Sequence, residues 1–180
     1  RFVVGAPVHT DAGIEGLRRG QPALMIWRGH AYVIYGVVYD VMQQEMFFAK
    51  RGGGAYANGR RVFTSSVSSL RDALVLFGSP FRDRNDVAYF AQVFSVVQAA
   101  VSDQRREGSA ALDLAYVAAG RAEAFYEQGL KPWDIAAGTI LVQEAGGWIS
   151  DFQGENSSLA RKRVLAVNMP LKEAFLRLLD

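Results

Sequence analysis

The chain has 180 residues, of which 50% are hydrophobic and 21% are charged, a composition typical of soluble globular proteins. Its formal net charge of +2 is too small to indicate binding to nucleic acid or to an anionic membrane, so we predict neither partner. The absence of cysteine excludes disulfides, thiolate zinc sites and a cysteine nucleophile, and it fits a cytoplasmic location. We identify no signal peptide and no membrane span. The chain lacks an initiator Met and starts in a strand-like run, so we expect a truncated product.

The front of the chain has the pattern of an antiparallel meander. Two β-rich runs within residues 23–40 are joined by a Gly-containing turn, and Glu45 to Lys50 is a further strand candidate. The Gly-rich break at residues 51–54 leads into a short strand, and Asn58-Gly59 is a strong signal for a two-residue hairpin turn. We therefore predict a partial antiparallel-sheet subdomain over residues 1–80.

After residue 80 the pattern alternates between helix and strand, which predicts an α/β subdomain over residues 81–180. A buried strand at residues 72–78 precedes it. Ser109 is placed to cap the second helix and Gly120 to end it. The predicted helices cover residues 87–101, 110–119, 135–145 and 171–179, and the predicted strands cover residues 122–127, 148–151 and 164–167.

The segment from Leu130 to Gly147 carries the most chemical information. It places Asp134 at the mouth of a helix, after a strand that ends in Glu127. A carboxylate there can hold a hard cation or accept a hydrogen bond from a hydroxyl group. Asp is also a favoured N-cap, and the two interpretations are compatible. The small residues at 136–138 would allow close approach of another backbone or of a ligand.

Several motifs in register resemble the inositol monophosphatase family. Trp-Asp-x-Ala-Ala-Gly at residues 133–138 and Glu-Ala-Gly-Gly at residues 144–147 are similar to its C-terminal signature. Residues 106–120 look like its substrate loop and following helix. Residues 36–40, the Phe-Phe-Ala-Lys-Arg-Gly-Gly-Gly-Ala-Tyr run and Asn58-Gly59 match its order and spacing. The resemblance runs from about residue 36 to the end, and it is strongest to bacterial members of the extragenic-suppressor type.

The resemblance implies a layered αβαβα fold, here incomplete at the N-terminus, and hydrolysis of a small phosphorylated polyol with Mg²⁺ as cofactor. It implies that Asp134 is a metal ligand close to the substrate's hydroxyl groups, and that Glu127 accepts a hydrogen bond from one of them. Gly108, Ser109 and Ala110 would line the pocket. Relatives of this kind imply a homodimer.

The chain departs from the family pattern at its front. In this family the other metal ligands come from an upstream Glu-Glu and from an Asp-Pro-[Ile/Leu]-Asp-Gly-Thr motif. That motif is absent from this chain. The nearest stretches are residues 10–13 and 14–16, and neither has paired aspartates. Since one carboxylate cannot organise two divalent ions, we expect impaired activity, with no catalytic residue identifiable beyond the metal ligand. A fragment, a remodelled front end and a divergent working site remain open explanations.

Three functions remain open at this point. The first is a Mg²⁺-dependent inositol-1-phosphate phosphatase, and the second is an inactive homologue that acts by binding a partner protein. The third is a phosphatase of fructose bisphosphate, adenosine bisphosphate, NADP or histidinol phosphate. His9 and His30 are not at metal-ligand spacing, and residues 108–110 do not form a Gly-x-Ser-x-Gly elbow. The basic pair at residues 105–106 is interpreted as solvated surface.

Overall fold

The computed structural model describes residues 35–80, 86–155 and 163–179. Within them the chain forms nine strands and four α-helices. Three features of the sequence analysis lie outside the described residues. They are the first strand expected within residues 23–40, the two histidines, and residues 10–16.

The front of the described chain is the predicted meander. It consists of β1 (Tyr35–Asp40), β2 (Glu45–Lys50), β3 (Gly54–Ala57) and β4 (Arg60–Val62), hydrogen-bonded in that order and antiparallel. Asn58 and Gly59 form the tight turn with φ angles of 46° and 78°, so the hairpin prediction is confirmed. Phe47 and Ala49 of β2 and Ala55 and Ala57 of β3 are buried, which gives the sheet one face toward the core.

A second, mixed sheet has the order β6-β5-β7-β9-β8. Its strands are β5 (Leu74–Phe77), β6 (Asp103–Arg105), β7 (Ala124–Gln128), β8 (Trp148–Ser150) and β9 (Arg163–Val167). β5 is parallel to β6 and β7, whereas β9 runs antiparallel to β7 and β8. The sequence did not predict β6, because its three residues are Asp-Gln-Arg and carry no apolar pattern.

The four helices are α1 (Val87–Ala100), α2 (Ala110–Ala118), α3 (Pro132–Glu144) and α4 (Lys172–Leu179). α1, α2 and α4 match their predicted ranges within one residue at each end. α3 begins at Pro132 rather than at Ile135, because proline suits the first turn of a helix and Lys131 takes the N-cap position. The prediction that Asp134 is the N-cap is therefore wrong: Asp134 is the third helical residue.

The described elements form four stacked layers. α2 and α3 lie between the two sheets and share one apolar core with the inner face of the meander. α1 and α4 cover the opposite face of the five-stranded sheet and form a second core around Val75, Tyr126 and Leu165. The sheet-helix-sheet-helix order is that of a layered α/β fold and accounts for four layers of the predicted αβαβα arrangement. The division at residue 80 stays a prediction; β5, which precedes it, pairs in the second sheet.

α3 is held closely against its neighbours at three points. A Cβ on Gly138 would overlap the side chain of Leu114 in α2, so glycine is what lets these helices approach. A Cβ on Gly36 of β1 would meet the backbone of α3 in the same way. At its C-terminal end, Glu144 accepts hydrogen bonds from the Gly52 and Gly54 N–H groups at 2.7 Å and 2.8 Å. These contacts fix the helix whose first turn carries Asp134.

Among the described residues, no helix combines the length and the apolar composition that crossing a bilayer requires.

Candidate active site

A cavity of about 290 Å³ opens where the N-terminal ends of α2 and α3 meet the end of β7. It is lined by Gly78, Arg106, Gly108, Ser109, Ala110, Ala111, Asp113, Glu127, Leu130, Trp133 and Asp134. All five residues that the sequence assigned to the site, at positions 108, 109, 110, 127 and 134, are therefore in its wall. They reach it from three different elements, which only the fold brings together.

The approach to α2 forms one side of the cavity. Gly108 has a φ of 91°, a left-handed conformation that favours glycine, and it turns the chain into the helix. Ser109 is the N-cap residue, as predicted, but its side chain makes no capping hydrogen bond. The first N–H groups of a helix have no partner within the helix, and they carry a partial positive charge. This edge of the cavity is therefore suited to an anion such as a phosphate group.

Asp134 lies on the first turn of α3. Its Oδ2 accepts a hydrogen bond from the Lys131 N–H at 2.9 Å, and its own N–H donates to the Lys131 carbonyl at 2.9 Å. The carboxylate thus closes the helix start from the third helical position, as in a capping box. It also lines the cavity. The structural and the ligand-binding interpretations of Asp134 remain compatible.

Glu127 is buried at the end of β7, with only 6% of its surface exposed. Its carboxyl group packs directly on the backbone of Gly78, since a Cβ at that position would overlap it. Gly78 follows β5, the parallel neighbour of β7, so the sheet register sets this contact. The position of the Glu127 carboxyl group therefore depends on the absence of a side chain at residue 78.

Asp113 carries the one carboxyl group in the described cavity lining that sequence reasoning missed. It lies on α2, has no exposed surface, and neither of its carboxyl oxygens has a hydrogen-bond partner among the described residues. Burial, and secondarily the nearby charges of Glu127 and Glu107, raise the pKa of Asp113 to about 8, while Arg106 opposes the shift. A pKa of about 8 keeps this carboxyl group mostly protonated at pH 7. The available signal was a single carboxylate within an otherwise apolar helix.

Two large side chains stand at the rim of the cavity. Arg106, which the sequence placed on solvated surface, is exposed and also lines the cavity. Trp133 has 59% of its surface exposed beside Asp134. The cavity thus combines a cationic and an aromatic group at its mouth with carboxyl groups deeper inside.

The described residues fit a bound Mg²⁺ ion only in part. Asp134 offers a carboxylate, the ligand type that Mg²⁺ prefers. However, no three His, Cys, Asp or Glu side chains in residues 35–80, 86–155 and 163–179 lie close enough together to hold a metal ion. The donor set in this part of the chain is therefore incomplete for a metal centre.

Comparison with known proteins gives a consistent picture. The model of a family described as "Inositol monophosphatase family" matches residues 28–180, beginning upstream of the motifs at residue 36. "Nus factor SuhB" of Pseudomonas aeruginosa is 46% identical over 144 residues, which cover 79% of this chain and 53% of that protein. "Inositol-1-monophosphatase" of Mesorhizobium japonicum is 43% identical over 145 residues, covering 81% of this chain and 54% of that protein.

A solved structure, the extragenic suppressor protein suhB from Bartonella henselae, matches with a TM-score of 0.79 and 39% sequence identity. The match covers 83% of this chain and 57% of that one. The chain thus spans about half the length of the curated relatives that it matches.

Proposed function

Because the chain belongs to the inositol monophosphatase family, we propose that it acts as a phosphomonoesterase on inositol-1-phosphate or a similar small phosphorylated polyol. The observation that carries this proposal is a single small cavity, which is lined by the N-terminus of α2 and by several carboxyl-bearing residues. The phosphate group would bind at the start of α2, and the polyol hydroxyl groups would donate to Glu127 and Asp134.

The size of the cavity supports a small substrate. Its volume of about 290 Å³ is at the lower end of the roughly 300–1,000 Å³ that is typical of ligand pockets. That favours a single phosphorylated ring or chain over the larger adenosine bisphosphate and NADP. Fructose bisphosphate and histidinol phosphate remain alternatives on volume alone.

Mg²⁺ is the proposed cofactor, and when bound it would activate a water molecule and stabilise the leaving oxygen. The described residues supply one of its expected ligands, Asp134, and not a complete set. We therefore assign no reaction step to the ion and propose that turnover by the chain as given is impaired. What these residues do is bind and orient the polyol.

The test is phosphate release from inositol-1-phosphate, measured on the wild type and on Asp134→Asn with and without Mg²⁺. Asn can still accept the Lys131 hydrogen bond, so the fold should survive with a loss of about 0.3–1 kcal/mol of helix-dipole stabilisation. Mg²⁺-dependent release should fall about 100-fold or more, since even outer-shell partners of metal ligands contribute 10–100-fold. Asp72→Asn, at an exposed position outside the cavity lining, is the matched control. Unchanged turnover in Asp134→Asn would sink the metal assignment.

A second candidate function is an inactive homologue that binds a partner protein. It is favoured by the missing Asp-Pro-x-Asp-Gly-Thr motif and by the name "Nus factor" that several relatives carry instead of an enzyme name. No phosphate release from folded protein, at any Mg²⁺ concentration, would favour this candidate over the enzyme. The homodimer, the cytoplasmic location and the lack of direct nucleic-acid binding also stay predictions.

A further inference from the structure

The only positively charged side chain in the described cavity lining is that of Arg106. The lining also includes the carboxyl groups of Glu127 and Asp134, which would repel a phosphate group. The N-terminus of α2 offers roughly half an elementary charge, too little to balance two carboxylates. A Mg²⁺ ion could balance them, but the donor set in the described residues is incomplete for a metal centre. The cavity therefore needs a cation from its own wall to hold a phosphate group.

Arg106 differs from its neighbour Arg105 in what it contacts. Arg105 lies on β6, outside the cavity lining, and forms an ion pair with Asp103 at 2.5 Å. Arg106 is exposed and makes no ion pair or hydrogen bond with another described residue. The sequence treats the two arginines alike, whereas the structure gives only Arg106 a place in the cavity wall and leaves its guanidinium group available to a ligand.

Arg106 also lies at the edge of the cavity where the phosphate group is proposed to bind. It precedes by two residues Gly108, which turns the chain into α2 and lines the cavity. A Cβ on Gly108 would meet no atom within 4 Å, so the space beside this turn is open. A guanidinium group presents its N–H donors in a planar fork, which matches pairs of phosphate oxygens. The position and the chemistry of this side chain therefore both suit a phosphate group.

We propose that Arg106 is a phosphate-binding residue of this cavity and that it holds the phosphate group of the substrate without a metal ion. Its guanidinium group donates two hydrogen bonds to phosphate oxygens, and its charge offsets the carboxylates of the wall. This inference rests on the proposed function, because it assumes that the cavity takes a phosphorylated polyol. It separates phosphate binding, which needs no Mg²⁺, from turnover, for which Mg²⁺ is the proposed cofactor.

The test measures binding in the absence of divalent ions. The dissociation constants of inositol-1-phosphate and of inorganic phosphate are determined in EDTA by ³¹P NMR titration, and the inositol-1-phosphate titration is repeated with Mg²⁺. The wild type is compared with Arg106→Gln, which removes the positive charge, and with Arg106→Lys, which keeps it. Arg105→Gln is the matched control, since it removes the same charge from the adjacent residue, which lies outside the cavity lining.

We expect the wild type to bind both ligands in EDTA. Arg106→Gln should bind both about tenfold more weakly, because a charge-assisted contact to the shared phosphate group is lost. Arg106→Lys should lose less than Arg106→Gln, since it keeps the charge and gives up only the paired hydrogen bonds. Arg105→Gln should bind both ligands as the wild type does.

Each other outcome overturns a distinct claim. Wild-type protein that neither binds inositol-1-phosphate nor releases phosphate from it, with or without Mg²⁺, overturns the proposed function and this inference with it. Binding only in the presence of Mg²⁺ overturns this inference alone, because the metal ion then holds the phosphate group. Unchanged affinity for inorganic phosphate in Arg106→Gln also overturns this inference alone.

Two patterns among the variants likewise contradict the contact. Equal weakening in Arg105→Gln and Arg106→Gln would reveal a general effect of surface charge, and an equal loss in Arg106→Lys and Arg106→Gln would show that the charge is not what binds. Circular dichroism checks that each variant folds, and Arg106→Ala replaces the Gln variant if it does not.

Discussion

Replacing Asp113 by Asn should remove a pH dependence from the stability of this protein. The pKa of Asp113 is raised to about 8 in the folded chain, compared with roughly 3.9 in an unfolded one. Between these values the folded protein keeps a proton that the unfolded chain has released. The free energy of unfolding therefore falls as pH rises from about 4 to about 8, and this contribution is level outside that range.

The size of the effect follows from the span of pH. Each pH unit changes the free energy of unfolding by about 1.4 kcal/mol. Between pH 5 and pH 7 the wild type should therefore lose about 3 kcal/mol of stability relative to Asp113→Asn. The side-chain amide that this substitution introduces is also buried, so it changes the free energy of unfolding by an amount of its own. That amount does not vary with pH. Ionisable groups common to both proteins cancel in the difference. The slope of the difference, and not its value at one pH, is the measured quantity.

The assay is urea unfolding of both proteins at pH 5, 6, 7 and 8, followed by circular dichroism. Asp72→Asn is the control, because it makes the same chemical change at an exposed position. A difference between wild type and Asp113→Asn that does not change from pH 5 to pH 7 would refute the reasoning. It would mean that Asp113 is ionised in the folded protein and has a partner that stabilises its charge.

Three further substitutions test other contacts. Gly78→Ala should displace the Glu127 carboxyl group and weaken inositol-1-phosphate binding about tenfold in calorimetry. It should also destabilise the protein by about 1–3 kcal/mol, because the added Cβ would overlap both Cγ and the carboxyl group of the buried Glu127; unchanged affinity would contradict the contact. Gly138→Ala should destabilise the protein by about 1–3 kcal/mol in urea unfolding, because its Cβ would overlap Leu114; a gain in stability would show that helix propensity outweighs the overlap. Glu144→Gln should cost about 1 kcal/mol, since one amide oxygen replaces two charged acceptors; an unchanged unfolding midpoint would argue that the two bonds contribute nothing.

The elements that the sequence predicted well are those whose signals are local. The turn at Asn58-Gly59 forms because those two residues tolerate a positive φ, whatever the rest of the chain does. α2 ends before Gly120 for the same kind of reason: this glycine takes a φ of 69° just beyond the helix. The helical spacing of apolar residues likewise located α1, of which Val93 and Val97 are buried.

The errors come from polar side chains whose role the sequence pattern does not show. β6 was missed because its polar residues give no pattern; Gln104 is nevertheless buried, and it accepts a hydrogen bond from the Tyr126 hydroxyl at 2.6 Å. The start of α3 was placed too late because Asp134 has the chemistry of an N-cap, although it closes the helix from the third position through Lys131. A partner on another strand decides the role of Gln104. A shift of the helix start by a few residues decides that of Asp134.

The sequence by itself determined the family resemblance and the identity of five residues around the cavity, because motif spacing is a property of the chain. Only the tertiary structure decided that Asp113 is buried and that its pKa is raised. Its pKa depends on the desolvation of α2 between two sheets and on the nearby charge of Glu127 from another strand. Neither quantity exists until the chain is folded, so no pattern along the sequence can supply it.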